Sequence, residues 1–394
     1  MTPQTVDVLI VGAGAAGMMC AVEAGRRGRS VRILDHARAP GEKIRISGGG
    51  RCNFTNLGVH PSRFLSHNPR FCISALSRYT PADFIALLDR EGIAWRERTL
   101  GQLFLEGSAR QVVDLLVRRM TAAGAELRLS TPVRDLSPAE PGFCLSLDSG
   151  EVLADRVVLA TGGKSIPKMG ATGYALDVAR GLGLAIVEPR AGLVPFTLAP
   201  DLLERLSPLA GVSAPARVTA GGTAFDESLL FTHRGLSGPA VLQASSYWRD
   251  GEAVTVDLAP GVDLLPRLKA ERTRAGRQAP AALLSDLLPA RLARTLAEGV
   301  EAPPRLGDCN DAALARLSAA VNAWTFRPAG TEGYRTAEVM LGGVDTRELD
   351  SRTFEARKVP GLHIIGEAVD VTGWLGGYNF QWAWASGWAA GQAV

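Results

Sequence analysis

Glycines at positions 12, 14 and 17 follow the apolar run "VDVLIV" (6–11) and spell G-x-G-x-x-G. This spacing is suited to a pyrophosphate. Gly12 permits a tight turn, Gly14 lets the backbone meet the phosphates, and Gly17 lets the following helix pack closely on the strand. Ala13, Ala15 and Ala16 complete the turn, where a helix N-terminus offers partial positive charge to an anion. A second strand, "SVRILD", ends at Asp35, eighteen residues beyond Gly17. A carboxylate there accepts hydrogen bonds from a ribose diol. An ordinary glycine-rich turn is the bland alternative, but strand, helix and acid arrive in the order a dinucleotide site requires.

The stretch "KIRISGGGRCNFTN" (43–56) poses a second chemical question. Three consecutive glycines are costly to order, because glycine loses more backbone freedom on folding than any other residue. Gly48, Gly49 and Gly50 stand among the cations Lys43, Arg45 and Arg51, with Ser47 before them and Cys52 after. A backbone without side chains, flanked by positive charge, is a cradle for a bound anion. Lys43 and Arg51 can neutralise phosphate charge, Arg51 with bidentate geometry. A solvated basic loop is the alternative.

The elements that must position these residues are legible in outline. The strand before Gly12, a helix to about residue 28 and "SVRILD" make a βαβ unit. Helical patterns follow near 81–92 and 108–124, and strands near 126–130, 143–147 and 156–160. From about 188 the chain turns to short strand-like runs, and 263–325 reads as helical. The segment 357–371 returns to a buried strand, and "GGYNFQWAWASGWAAG" (376–391) reads as a last helix in which Trp382, Trp384 and Trp388 are packing residues.

The chain of 394 residues is too long for one ordinary core, so two or three domains are expected. Hydrophobic residues at 46% and charged residues at 21% describe a globular protein rather than a disordered one. The net charge of +3 is compatible with an anionic ligand. Five cysteines without CxxC or zinc spacing exclude a metal site of that kind and indicate reduced thiols, hence a cytoplasmic protein. Residues 371–394 carry no formal charge, but their glycines and amides argue for a buried element beside a large ligand and against a membrane span.

Later segments choose between dinucleotides. "VVLATGG" (157–163, with Thr161 and Gly162) and "GLHIIGEAVD" (361–370, with Gly366 and Glu367) resemble the late elements of two-dinucleotide-fold flavoproteins. In those proteins the acid bonds the ribityl chain, and "TPV" falls where Val133 would lie beside the adenine. There is no second G-x-G-x-x-G, so NAD(P)H has no Rossmann site of its own.

"GEKIRISGGGRCNFTN", "ATGGKSIPKMGATG", "FTHRGLSGPAVLQ" and "GEAVDVTGWLGGYNFQWAWASGWAAG" closely resemble the signatures of the BaiN/RdsA-like (YhiN-type) FAD-dependent oxidoreductases. The resemblance runs from residue 6 to 391. It departs from the commonest pattern at "DVTGWLGGYN", where Trp374 precedes Gly376. It implies an α/β fold: a Rossmann-like, glutathione-reductase-like FAD domain with an inserted β-barrel and a small helical subdomain. We assign residues 1–190 to the first part of the FAD domain and 191–345 to the inserted cap, with the helices at about 263–325. Residues 346–394 are its C-terminal part. Gly376 and Gly377 would open the last helix so that the Tyr378 and Asn379 amides face the flavin N1–C2 carbonyl, where positive partial charge favours hydride uptake.

The family resemblance implies hydride addition to polarised double bonds, including uridine C5=C6 of ribosomal RNA and bile-acid-type enones, with NAD(P)H as electron donor. The neighbouring carbon then needs a proton. Cys52 could supply it or simply fill space, and His233 in "FTHRGLSGP" is the rival donor or a structural histidine. Arg234, Lys164 and Lys168 are substrate-facing or plain surface cations. Between 267 and 294 seven cations (Arg267, Lys269, Arg272, Arg274, Arg277, Arg291, Arg294) face two anions (Glu271, Asp286), as a phosphate-backbone contact or a solvated helix surface would have it. Three functions stay open: an RNA uridine reductase, an FAD-holding RNA- or ribosome-binding protein with little turnover, and a small-molecule reductase or oxidase.

Overall fold

A computed structural model describes residues 4–394. Residues up to Arg190 together with Val339–Val394 make one compact unit, and Ala191–Glu338 make a second.

In the first unit, β1 (Gln4–Val11), α1 (Ala15–Arg26) and β2 (Val31–Leu34) form the expected strand–helix–strand. β1 is central, with β2 parallel on one side and Gly150–Leu159 parallel on the other. The sheet runs Glu355–Ala356, Val359–Ile364, Gly150–Leu159, β1, β2, Glu126–Arg128, and an antiparallel arm, Val133–Pro138 and Phe143–Leu147, extends from Gly150–Leu159. Val8, Leu9 and Ile10 are fully buried, as a strand covered on both faces demands. The last helix, Tyr378–Gly391, lies against α1 at Gly387, whose missing Cβ would fall 2.3 Å from the Ala16 carbonyl oxygen. Trp382 and Trp384 are buried there as packing residues. After β2 come α2 (Glu42–Gly50) and β3 (Asn53–Asn56). The chain re-enters this unit at Val339, because the strand Val339–Val344 carries Met340, whose amide donates to Glu367 at 2.8 Å.

The second unit is a seven-stranded antiparallel sheet with helices Leu264–Arg274, Pro280–Leu284, Ala290–Gly299 and Asp311–Asn322. Its edge strands are Trp324–Phe326 and Gly330–Thr331, nearly consecutive in the chain. Four residue steps reach at most about 14 Å, so the sheet must curl its two edges toward each other, as a barrel does. Among the described residues no helix is long and apolar enough to cross a membrane.

Candidate functional site

The three glycines of the first turn are glycine for three different reasons. Gly12 has φ +110°, and a Cβ would stand 2.5 Å from the Ala160 carbonyl oxygen. A Cβ on Gly17 would fall 1.9 Å from the Gly12 oxygen, so this glycine is what lets α1 touch the turn. Gly14 has an ordinary φ of −85°, and a Cβ there meets nothing within 4 Å. Neither conformation nor protein packing requires glycine at 14.

Asp35 binds the same turn. Its carboxylate accepts from the Ala13 amide at 2.7 Å and the Ala37 amide at 2.8 Å, and Gly41 N–H donates to the Ala13 carbonyl at 2.9 Å. The acid is thus a brace for the glycine turn. Ser130 and Thr131 N–H groups donate to the Ala37 and Asp35 carbonyls, which anchors the strand start at half-buried Val133 to the end of β2.

The glycine run closes α2, and the helix breaks inside it. Ser47 is extended, Gly48 and Gly49 are left-handed at φ +57° and +65°, and Gly50 follows at +81°. At Gly48 a Cβ would meet Phe104 at 2.8 Å, whereas at Gly49 and Gly50 the space is open. Ser47 Oγ donates to the Ile44 carbonyl at 2.7 Å. Arg51 is exposed and its side chain makes no ion pair among the described residues.

Lys43 and Glu367, read from sequence as separate cofactor contacts, are partners. Lys43 Nζ donates to Glu367 Oε2 and to Ser165 Oγ, each at 2.7 Å. Glu367 also accepts from Ser165 Oγ at 2.8 Å and from the Met340 amide. Burial pushes its carboxyl up, but the Lys43 charge and these donors together hold it below the usual carboxylate range. Gly162, at φ +72°, and Gly366, at φ +67°, turn the backbone on either side of this carboxylate, and Thr161 Oγ1 accepts from the Ala175 amide at 3.3 Å.

At the last helix, Gly377 is the N-cap at φ +97°, and a Cβ would strike the Thr55 carbonyl oxygen at 2.3 Å. Gly376, at φ +100°, lies against Gln102. The helix start is therefore pressed onto β3 and Gln102, and its first-turn amides have no acceptor within the helix. The Asn379 side chain is spent on the preceding turn, accepting from Gly373 N–H at 2.8 Å and donating to the Gly373 carbonyl at 2.9 Å. Tyr378 is buried, and its hydroxyl takes a hydrogen bond from Arg63 at 2.5 Å.

Cys52 has no exposed surface, and burial pushes its thiol up to about 12, only partly offset by Ser47. A sulfur enclosed on all sides by protein is closed to solvent in this arrangement. Of its two readings, burial favours packing. His233 is exposed in the second unit, in a turn where the Thr232 hydroxyl accepts from the Arg234 and Gly235 amides. That unit also holds a cavity of about 300 Å³ lined by Leu206, Phe231, Leu292, Trp324 and Phe326, and no sequence-assigned residue lines it.

The basic segment is less bare than its sequence. Arg267 pairs with Asp286, Arg274 with Glu271, and Lys269 and Arg272 both with Asp311, which lies outside the segment. Arg291 donates to the Ala210 carbonyl at 3.2 Å. Arg277 and Arg294 are exposed and make no ion pair among the described residues.

Sequence reading missed Asn56, Gln102 and Ser165. Asn56 is buried and donates to the Leu100 and Gly376 carbonyls at 3.2 and 2.9 Å. It ends the "RCNFTN" motif, which was a usable signal; Gln102 offered none.

A parallel sheet with a G-x-G-x-x-G turn, and open space where side chains would stand at Gly14, Gly49 and Gly50, go with the class of Rossmann-type flavin-dependent oxidoreductases. The model of the HI0933-like protein Rossmann domain matches residues 6–393. This chain belongs to that family. It is 52% identical over 395 aligned positions to the ribosomal RNA dihydrouridine synthase of Escherichia coli strain K12, covering 98% of this chain and 97% of that one. It is 42% identical to the ribosomal RNA dihydrouridine synthase of Haemophilus influenzae, over 98% of both chains. Identity to the 3-dehydro-bile acid delta(4,6)-reductase of Clostridium scindens is 29%, again over 98% of both.

Proposed function

We propose that this chain binds FAD and uses NAD(P)H to reduce the C5=C6 bond of a uridine in ribosomal RNA, forming dihydrouridine in the cytoplasm. The observation that carries this reading is 52% identity along nearly the whole chain to a ribosomal RNA dihydrouridine synthase. Bound FAD supplies hydride from N5 to one carbon of the polarised double bond. The Gly12–Gly17 turn with Asp35, the Gly48–Gly50 run with Arg51, and the start of the last helix would hold the cofactor. Lys43 and Glu367 brace the loops around it. A proton must reach the neighbouring carbon; of the two donors named from the sequence, burial argues against Cys52 and leaves the exposed His233. Arg277 and Arg294 are the cations of the basic segment best placed to meet RNA phosphates.

A second reading, reduction of a small enone, draws on the 29% identity to a bile-acid reductase. The test is mass spectrometry of nucleosides from ribosomal RNA with and without this gene, followed by reaction of the purified protein with NADH or NADPH. Dihydrouridine that appears only with the gene supports the first reading. Unchanged ribosomal RNA beside rapid reduction of a small enone supports the second.

A further inference from the structure

Only four large hydrophobic side chains are exposed among the described residues, Ile46, Leu57, Ile73 and Leu100, and two of them are neighbours. Leu57 is 53% and Leu100 63% exposed. Leu57 N–H donates to the Gly101 carbonyl at 2.9 Å, and the buried Asn56 amide donates to the Leu100 carbonyl. Leu100 has φ +60°, a left-handed conformation that a leucine adopts at a cost. An exposed apolar side chain gains nothing from that strain in the free protein. Strain of this kind, held in place by a part-buried hydrogen bond from Asn56, marks positions kept for a ligand.

The surroundings point to which ligand. The same Asn56 amide donates to the Gly376 carbonyl, so the leucine pair is tied to the glycines that open the last helix. Arg63, whose Nη1 lies against Gly58, stacks its guanidinium over Trp374 at 5.3 Å and Tyr378 at 5.9 Å. Arg98 stacks over Phe104 at 4.5 Å. Arg96, Glu97 and Arg98 are exposed beside Leu100, leaving the rim net positive with Arg63. Two exposed leucines, with Arg63 six residues after the first and Arg98 two before the second, each stacked on an aromatic ring, match a nucleic-acid strand, with phosphates outside and an opened base step inside.

We propose that Leu57 and Leu100 form a wedge that enters the base stack of RNA and fills the gap left when the target uridine is taken out of it. This rests on the reading of the chain as an RNA uridine reductase. An enzyme that works on a base ring must unstack it, and apolar side chains inserted between base steps offset that cost. Arg63 and Arg98, held on aromatic rings, present their remaining N–H groups to the flanking phosphates or bases.

The test uses the FAD-loaded full chain with NADH or NADPH as reductant, a ribosomal RNA hairpin and a single-stranded oligonucleotide with the same uridine, each with 2-aminopurine beside it. Variants are Leu57→Ala, Leu100→Gly and the double variant. Leu100→Gly removes the left-handed strain, so its melting temperature should equal or exceed that of the wild type, which separates loss of function from loss of fold. For wild type we expect a rise in 2-aminopurine fluorescence and dihydrouridine in the hairpin. For the double variant the ratio of hairpin to single-strand rates should fall roughly tenfold or more, with the fluorescence rise lost. A folded double variant that converts the hairpin at the wild-type rate overturns the wedge alone and leaves the leucines as a protein-facing surface. Wild-type enzyme that forms no dihydrouridine in any RNA overturns the uridine-reductase reading and the wedge with it.

Discussion

The ammonium of Lys43 lies 2.7 Å from the carboxylate of Glu367, an ion pair between residues 324 positions apart. It joins the start of α2 to the turn after Val359–Ile364, so the cradle and the late strand are fixed by one contact. Glu367→Gln keeps the shape but leaves Lys43 without its counter-charge. Both side chains are partly exposed, so the loss should be about 1–3 kcal/mol rather than that of a fully buried pair. Urea titrations of Glu367→Gln, Lys43→Met and the double variant should give a positive coupling energy; strictly additive losses would show that the pair does not act as a unit.

Gly14→Ala and Gly17→Ala should separate binding from folding. At Gly14 the added methyl enters open space at a φ any residue adopts, so the flavin-free protein should melt as the wild type does while flavin affinity falls. At Gly17 the methyl collides with the Gly12 carbonyl, and we expect a loss of roughly 3 kcal/mol or more with no recovery by excess flavin. Normal flavin retention in Gly14→Ala would show that the turn does not approach the cofactor.

Cys52→Ala should cost about 1 kcal/mol of stability and leave acceptor-dependent reoxidation close to the wild-type rate, because the thiol is enclosed. A positioned proton donor would instead slow that step about 10²–10⁴-fold on removal. Single-turnover mixing of pre-reduced protein with acceptor decides between them, with His233→Ala as the comparison. Native Cys52 should also resist iodoacetamide.

His363 predicts an acid-labile fold. It is buried in the strand Val359–Ile364, its Nδ1–H donates to the Thr353 carbonyl at 2.8 Å, and its Nε2 is buried without a partner. Burial lowers its pKa despite that carbonyl and Glu355. The unfolded chain takes up a proton near pH 6.5 and the folded chain does so only lower. The unfolded state therefore binds more protons below 6.5, and stability rises with pH there. The contribution is complete above about pH 6.5 and is lost as pH falls through the folded value, by at most about 1.4 kcal/mol per pH unit. Melting curves from pH 7.5 to 5 should show this slope in wild type and a shallower one in His363→Leu.

Arg277→Ala and Arg294→Ala should each weaken RNA binding and reduce the slope of log affinity against log salt by about 1. Arg274→Ala should do less, because Glu271 holds that guanidinium at 2.8 Å. Equal effects at all three positions would make the segment a diffuse positive field rather than a set of contacts.

By itself the sequence determined the local chemistry of this protein. The left-handed turn at Gly12, the close helix approach at Gly17, the strand on either side of α1 and the acid at Asp35 follow from short-range sterics and periodicity within one βαβ unit, whereas the Ala160 carbonyl that also excludes a side chain at Gly12 comes from a distant strand. The glycine run at 48–50 was legible for the same reason, since consecutive left-handed residues are open only to glycine at low cost. Tertiary structure alone decided what each charge and each thiol meets. Lys43 finds Glu367 because parallel strands far apart in the chain lie side by side, and Cys52 is buried where the strand holding Leu105 hydrogen-bonds to its carbonyl. Asp311 reaches Lys269 and Arg272 only because two helices of the second unit pack together. Residue type and spacing fix what a side chain is able to do, but its partner depends on which distant segment the packing brings within about 3 Å.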